Sequence, residues 1–480
     1  MNKRMVFHMI GQIIKLEAAV LLLPTVVSLI YKEECLWSFL ITIAVALIVG
    51  FALTLISRPR NHVIFSKEGF VIVALSWLSL AAIGALPFFL SGEIPSYIDA
   101  FFETVSGLTT TGASILTDVE SLSHGLLFWR SFTHWIGGMG VLVLIMAIVP
   151  SVSGRNMHVL RAEMPGPVVG KLMPRIRDTA KILYIIYLVM TAVQIILLWC
   201  GDMNLFGSIV HAFGTAGTGG FGIMSNSIAG YSPYSQWVIT IFMLLFGINF
   251  NLYYLILIRH IRDALKSSEL WVYLGIVAAA CIAIVINISH LYDSFGETLR
   301  TAVFQVSSII TTTGYSTTDF NAWPQLSKGI LLLLMFIGGC AGSTAGGLKI
   351  SRIQLLWGTV KRDLRRLIHP RSVGVIKMDG KRLDEPAIHG TSAYFIIYFA
   401  LFALGFLLLS FEPFGFETNF SAMAACFNNV GPGFGLVGPI GSYAAYSPFS
   451  KLVLSAAMLF GRLEIYPLLF VLIPSTWTKK

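Results

Sequence analysis

Four short runs of Thr, Asn and Gly carry the chemistry that this sequence repeats. They are Thr109-Thr110-Thr111-Gly112-Ala113-Ser114, Gly217-Thr218-Gly219-Gly220-Phe221-Gly222, Thr311-Thr312-Thr313-Gly314-Tyr315-Ser316 and Asn428-Asn429-Val430-Gly431-Pro432-Gly433. Short polar side chains compete with a helix for backbone hydrogen bonds, and Gly accepts positive φ, so each run forms a loop whose carbonyls can turn to one side. Carbonyl oxygens gathered around an axis replace the hydration shell of a monovalent cation. The candidate ligands are Thr110, Thr111 and Gly112, then Thr218, Gly219 and Gly220, then Thr312, Thr313 and Gly314, and last Asn429, Val430 and Gly431. The second copy can be centred on Gly219 or Gly220; Phe221 after Gly220 parallels Tyr315 after Gly314. One such run would serve close helix packing equally well. Four, roughly 100 residues apart, form an internal repeat that can close a ring.

Two further features stand apart from the repeat. Gly338-Gly339-Cys340-Ala341-Gly342-Ser343-Thr344-Ala345-Gly346-Gly347 interrupts an apolar segment with small residues alone. Each interior Gly costs a helix about 1 kcal/mol relative to Ala, so a break is expected. The competing reading is a helix-packing face, because Gly338, Gly342 and Gly346 follow a small-xxx-small spacing. Arg462 lies within another apolar segment, and an ionisable group there faces water or a partner. The partner would be Glu464 or backbone carbonyls.

The chain that positions these residues has 480 residues, 56% hydrophobic and 12% charged, which is the composition of a polytopic membrane protein. A net charge of +9 does not imply nucleic acid, because the basic residues fall into a few connections. The five cysteines show neither a disulfide framework nor a zinc spacing, and Lys15 and Glu17 make the first apolar stretch a retained helix, not a signal peptide. Residues 10–31 and 36–57 form a first pair of spans. Four units follow, each a full span, a half-length segment, the Gly loop and a second full span. They run through 69–91, 98–109 and 127–150; 181–200, 205–216 and 235–258; 271–291, 297–310 and 328–360; and 391–411, 417–428 and 448–474. The expected fold is an all-α polytopic membrane protein of ten transmembrane helices, with four pseudo-symmetric helix–pore-loop–helix repeats around one pore. Its parts are an N-terminal pair (1–66) and pore repeats 67–152, 178–262, 268–368 and 388–480, with a gating loop at 338–347.

Basic residues alternate sides as this count requires. Lys3, Arg4, Arg58, Arg60, Lys67, Arg155, Arg161, Lys171, Arg175, Arg177, Lys181, Arg259, Arg262, Lys266, the cluster from Lys349 through Lys361 to Arg382, and Lys479 and Lys480 all fall on one side. The positive-inside rule makes that side the cytoplasm and puts both termini there. Glu93, Asp99, Glu103, Asp118, Glu120, Asp202, Asp293, Glu297, Asp319, Glu412 and Glu417 fall opposite, where they would form an acidic mouth that concentrates cations. The half-helices point their partially negative C-termini at the membrane centre, which again favours a cation. His134, His211, Asn249, Asn251 and Gln194 read as hydrogen-bonded packing residues.

With these motifs the chain resembles the Trk, Ktr and HKT superfamily of potassium and sodium transport subunits over almost its whole length, most nearly the bacterial TrkH-type membrane subunit. The resemblance rests on the four filter copies TTTGAS, GTGGFG, TTTGYS and NNVGPG together with the extra N-terminal pair. It implies that Gly112, Gly220, Gly314 and Gly431 are the filter glycines, and that Gly at the first position, where sodium-permeable members carry Ser, selects potassium. It also implies that the matching loop (Gly338, Gly339, Gly342, Gly346, Gly347) obstructs the pore as a gate, with Arg462 as an electrostatic barrier below the filter. The implied assembly is a homodimer docked on a cytosolic TrkA-type ring, which would bind NAD(H) or ATP/ADP, in the bacterial cytoplasmic (inner) membrane. No P-loop or dinucleotide fingerprint stands in this chain itself, and no cofactor is expected in it beyond potassium at the filter residues. The basic cluster 361–382 would meet that ring or anionic headgroups. The function expected is potassium uptake, not catalysis, since no nucleophile–base set or haem-type histidine pair stands out. A sodium- or proton-coupled symporter on the same scaffold is the alternative, and a receptor without flux would leave the four loops unexplained.

Overall fold

Apolar stretches of bilayer length dictate the outer layer of the molecule. A computed structural model describes residues 1–59, 65–140, 176–371 and 374–478. Among these, six helical stretches are long and apolar enough to cross a membrane: Lys3–Tyr31, Leu36–Ile56, Lys67–Leu90, Ala180–Trp199, Ser268–Leu291 and Glu385–Leu409. They are the N-terminal pair and the first span of each unit. The pair packs closely where a Cβ on Gly11 would strike the carbonyl of Gly50. It covers the first unit. The most apolar stretch of Lys67–Leu90 is 61% buried, against 33%, 28% and 28% for the first spans of the other units, which face lipid.

Four half-length helices lie inside this layer: Tyr97–Leu108, Leu205–Ala216, Phe295–Ile310 and Phe416–Phe427. Three start at side-chain caps, with Ser96, Asn204 and Ser294 accepting from Asp99, Gly207 and Gly296 N–H groups. Asp99, Glu297 and Glu417 stand in first turns, where the helix dipole favours a carboxylate. Each half-helix ends at the first residues of a Gly loop.

The second spans differ from expectation. A break is expected only in the third unit, yet the second spans of the second and fourth units are interrupted as well, and the helix described for the first unit ends at Gly138. His124–Gly138 gives way to a turn at Met139. Pro233–Phe246 and Phe250–Leu257 meet at an 89° bend. Gln325–Ile337 and Ile350–Ile368 are separated by non-helical backbone, and Pro448–Arg462 breaks before Tyr466–Leu472 at Glu464 (φ 57°) and Ile465 (φ 69°). Only the third break is announced by a run of glycines; the bend in the second unit carries the single Gly247, and the break in the fourth falls at Glu464 in a mainly apolar segment that also holds Arg462. The second half of the span expected at 127–150, the boundary at 152, and Arg60, Arg155, Arg161, Lys171, Arg175, Lys479 and Lys480 lie outside the described residues. Between the third and fourth units a short hairpin pairs Lys377–Met378 with Lys381–Arg382.

Candidate functional site

Each Gly loop begins by folding back on its own half-helix through one repeated backbone bond. The donors Thr111, Gly219, Thr313 and Val430 reach the carbonyls of Ser106, Gly214, Ser308 and Ala425 at 2.8–2.9 Å. The preceding residues Thr110, Thr218, Thr312 and Asn429 are left-handed (φ 55°, 53°, 56° and 56°), and so are Gly112, Gly220, Gly314 and Gly431 (φ 80°, 78°, 81° and 95°). Left-handed Thr is strained, and strain repeated at three of the four matching places marks a functional constraint. The same pattern settles the second copy. Gly220, not Gly219, is the counterpart of Gly112.

The four loops close into a ring. A Cβ on Gly112 would meet the carbonyl oxygen of Gly219, one on Gly220 that of Thr313, one on Gly314 that of Val430, and one on Gly431 that of Thr111. Each glycine thus abuts the carbonyl just ahead of the glycine in the next copy, in cyclic order. Side chains tie the copies from within: Thr109 to Thr111 and Thr311 to Thr313 through hydroxyls 2.8 Å apart, and Asn429 Nδ2 to Thr111 Oγ1 at 2.9 Å. Tyr443 donates to the carbonyl of Gly431 (2.7 Å), and Tyr398 donates to Asn428 Oδ1 (2.6 Å). Thr110, Thr111, Thr218, Thr312, Thr313, Asn429 and Val430 are fully buried. Above the ring opens a vestibule of ≈ 300 Å³ lined by all four glycines.

Below the ring, residues 338–349 run as an irregular loop. Gly338 (φ 71°) ends the helix, so the packing-face reading of Gly338, Gly342 and Gly346 does not hold. Non-helical backbone at membrane depth requires internal partners. Here they come from the break in the second unit: Cys340 N donates to Gly247 O (3.0 Å), Phe250 N to Gly342 O (3.0 Å), and Thr344 Oγ1 to Phe246 O (3.2 Å). The stem of the loop zips on itself, Leu348 N to Phe336 O and Ile350 N to Gly339 O. Glu269, buried at the start of Ser268–Ile288, accepts from Ala341 N (2.7 Å) and Ser351 N (3.0 Å). The apex touches the ring, since Gly346 N–H donates to Thr312 Oγ1 at 2.6 Å.

Arg462 donates to three backbone carbonyls: Thr344 of the loop (2.8 Å) and Gly137 and Gly138 at the C-terminus of the helix described for the first unit (2.6 and 2.7 Å). Of the two partners expected for it, the carbonyls are the ones shown; Glu464 pairs with Arg352, whose guanidinium also lies over Tyr394. A cavity of only ≈ 60 Å³, bounded by Gly138, Gly346, Gly347, Lys349, Gly461 and Arg462 among others, remains beneath the ring. Described residues of all four second spans therefore meet at one constriction, wide above and narrow below.

A family model described as TrkH, cation transport protein, matches residues 36–270 and 287–478. The chain belongs to that family. It is 38% identical over 484 residues to the Trk system potassium uptake protein TrkH of Salmonella typhimurium, covering 99% of this chain and 100% of that one. It is 34% identical over 481 residues to the Trk system potassium uptake protein TrkG of Escherichia coli K12, covering 99% and 98%. The crystal structure of the potassium transporter TrkH from Vibrio parahaemolyticus superposes with a TM-score of 0.89 at 34% identity, covering 100% of both chains. The TrkH-family chain is thus a multi-pass membrane protein and a transporter, not an enzyme.

Within this TrkH-family fold, several residues differ from their expected places. No carboxylate is among the described residues that line the vestibule, although Asp118 and Glu120 flank Thr117 and Val119, which do line it. The carboxylates cap and pair instead, Glu93 with Ser123 N, Asp202 with Ser232 and Ser235, Glu412 with Ser447, Asp99 with Lys451 and Glu417 with Lys328. Glu103 lies mid-helix and fully inside, paired with Arg130, which the rule applied to Arg462 would equally have singled out, since it lies within the span expected at 127–150. Lys349, expected among cytoplasmic charges, is buried and donates to Ala345 O. His134 and His211 are packing residues as expected, hydrogen-bonded at the carbonyl of Gly107 and at Tyr231 Oη.

Proposed function

We propose that this chain takes up potassium across the cytoplasmic membrane of a bacterium, through the ring of Gly112, Gly220, Gly314 and Gly431. The observation that carries the reading is the cyclic abutment of each glycine on the next copy's carbonyl. The ring offers backbone acceptors at the floor of the vestibule, where they can replace the hydration shell of a cation. Relatives that share the whole chain length are named potassium uptake proteins, and Gly at position 112 leaves no side chain to crowd the ring. The filter ligands are Thr110 to Gly112, Thr218 to Gly220, Thr312 to Gly314 and Asn429 to Gly431. The loop 338–347 and Arg462 form the gate. Support for gating lies in the bonds from Gly346 to Thr312 and from Arg462 to Thr344, which join the loop to filter and pore wall.

The subunit works as a homodimer with both termini cytoplasmic, under control of a TrkA-type ring that binds NAD(H) or ATP/ADP. Arg365, Arg366 and Arg371 are exposed in the connection where such a ring would dock. Asp379 of the hairpin accepts from Ser268 N and Oγ (2.7 and 2.8 Å), next to Glu269, so a displaced hairpin would pull on the residue that holds the loop.

Flux of potassium and sodium into vesicles holding wild type or Gly112→Ser tests this function. Potassium-selective flux that becomes sodium-permeable in the variant is the expected result. Absence of cation flux from wild type with its regulatory ring present would overturn the reading.

A further inference from the structure

The filter ring is fourfold in its backbone but not in what stands behind it. At the same distance before each filter glycine, the four half-helices carry Glu103, His211, Gln305 and Ala422: one carboxylate, one imidazole, one amide and one methyl. Only the first of these holds an ion pair. Arg130 Nε reaches Glu103 Oε1 at 2.6 Å, and the two side chains are 4% and 0% exposed.

The pair grips two neighbouring loops at once. Glu103 accepts from Ser114 Oγ (2.9 and 3.1 Å) and from Ile115 N (3.0 Å), which lie just past Gly112 in the first copy. Arg130 donates through Nη1 to Gly222 O (3.0 Å) and lies 3.5 Å from the centre of the Phe221 ring, both just past Gly220 in the second copy. Between these two grips lies the joint at which Gly112 abuts the carbonyl of Gly219. Two of the other joints are backed by neutral groups, Tyr315 donating to Phe221 O (3.0 Å) and Tyr443 donating to Gly431 O, and the exposed pair of Lys328 and Glu417 reaches the fourth copy only through the Phe434 ring, 6.0 Å away.

We propose that Glu103 and Arg130 are specificity-determining positioning residues, whose ion pair fixes the spacing between the first and second filter copies and thereby the discrimination of potassium from sodium. A carbonyl ring favours the larger ion only while its oxygens are kept from closing on the smaller one. Two loops stapled to one planar guanidinium and one carboxylate cannot shift independently. Hydrogen bonds to charged groups are shorter and stronger than neutral ones, so this joint is the stiffest of the four. Arg is required rather than Lys, because a single ammonium lacks the fork that meets Glu103 and Gly222 together.

This proposal rests on the filter reading above, and the experiment separates the two. Reversal potentials in mixed potassium and sodium are measured in vesicles for wild type, Gly112→Ser, Arg130→Lys, Glu103→Gln and Lys451→Gln. Lys451 forms a comparable pair with Asp99 (2.6 Å) that touches no filter loop. The expected result is a potassium-to-sodium permeability ratio about tenfold lower in Arg130→Lys. In Glu103→Gln, which keeps an acceptor for Ser114 and Ile115, the ratio falls about threefold. Lys451→Gln keeps the wild-type ratio whatever its yield. If Arg130→Lys does not accumulate in the membrane, Glu103→Gln decides alone. A wild-type ratio in the accumulating pair variants, beside a lowered ratio in Gly112→Ser, would overturn the proposal and leave the filter standing. A wild-type ratio in Gly112→Ser as well would overturn the filter reading. A ratio lowered equally in Lys451→Gln would mean that any loosened ion pair suffices, and would also overturn the specific role.

Discussion

In the ring, the same left-handed pair of residues recurs in all four copies, whereas beneath it the described helices of the four second spans end at different places and with different chemistry. The ring at Gly112, Gly220, Gly314 and Gly431 is held by backbone: one repeated bond per copy and one repeated contact between copies. The constriction is held by single, unrepeated side chains, Glu269 from the third unit and Arg462 from the fourth, acting on a loop that among the described residues only the third unit has. A fourfold backbone site suits a function that must treat one spherical ion alike from every side. A one-sided loop suits a part that has to move, because it can leave without dismantling the ring. The division expected is that the ring sets which ion passes and the loop sets how much.

Substitutions that break the comparison most should come from the ring. Gly314→Ser places a side chain against the carbonyl of Val430 and should lower the potassium-to-sodium permeability ratio tenfold or more, a shift of at least about 1.4 kcal/mol, read as a reversal potential. Removing residues 339–346 should leave that ratio unchanged and raise tracer flux by roughly tenfold, since a conducting population limited by the loop is released. Glu269→Ala leaves the N–H groups of Ala341 and Ser351 without their acceptor, at a cost of about 1–3 kcal/mol each, and should raise flux severalfold with wild-type selectivity. The smallest effect is expected from Tyr443→Phe, which removes one hydrogen bond to Gly431 O, worth about 0.5–1.5 kcal/mol. Its permeability ratio should fall by no more than about threefold, and its flux should stay unchanged.

Much of the upper region was legible in the sequence because it repeats. Four runs that break helical propensity in the same way announce four loops, and the half-helices before them follow from apolar segments too short to span. Leu205–Ala216 matches its expected limits, and Tyr97–Leu108, Phe295–Ile310 and Phe416–Phe427 lie within two residues of theirs. The sequence favours Gly220 over Gly219 only by the aromatic that follows it, because adjacent glycines both tolerate positive φ; the left-handed Thr218 and Gly220 decide it. The lower region was legible where the loop is rich in glycine and hidden elsewhere. The bend at Gly247 and the break at Glu464 follow from partners distant in sequence, the carbonyl of Gly247 meeting Cys340 and Glu464 meeting Arg352. Charges misled for a related reason. Glu103 was expected on the acidic outer side and Lys349 among the cytoplasmic charges, yet each is buried against partners that no local pattern identifies.

The division between ring and loop is tested most directly by measuring reversal potential and tracer flux in the same vesicles for Gly314→Ser and Arg462→Gln. Arg462→Gln loses the charged fork that joins Thr344 O to Gly137 O and Gly138 O. The expected result is a shifted reversal potential for Gly314→Ser alone, and raised flux at the wild-type reversal potential for Arg462→Gln. A reversal potential shifted as far by Arg462→Gln as by Gly314→Ser would show that selectivity and obstruction are not separate, and would contradict the division.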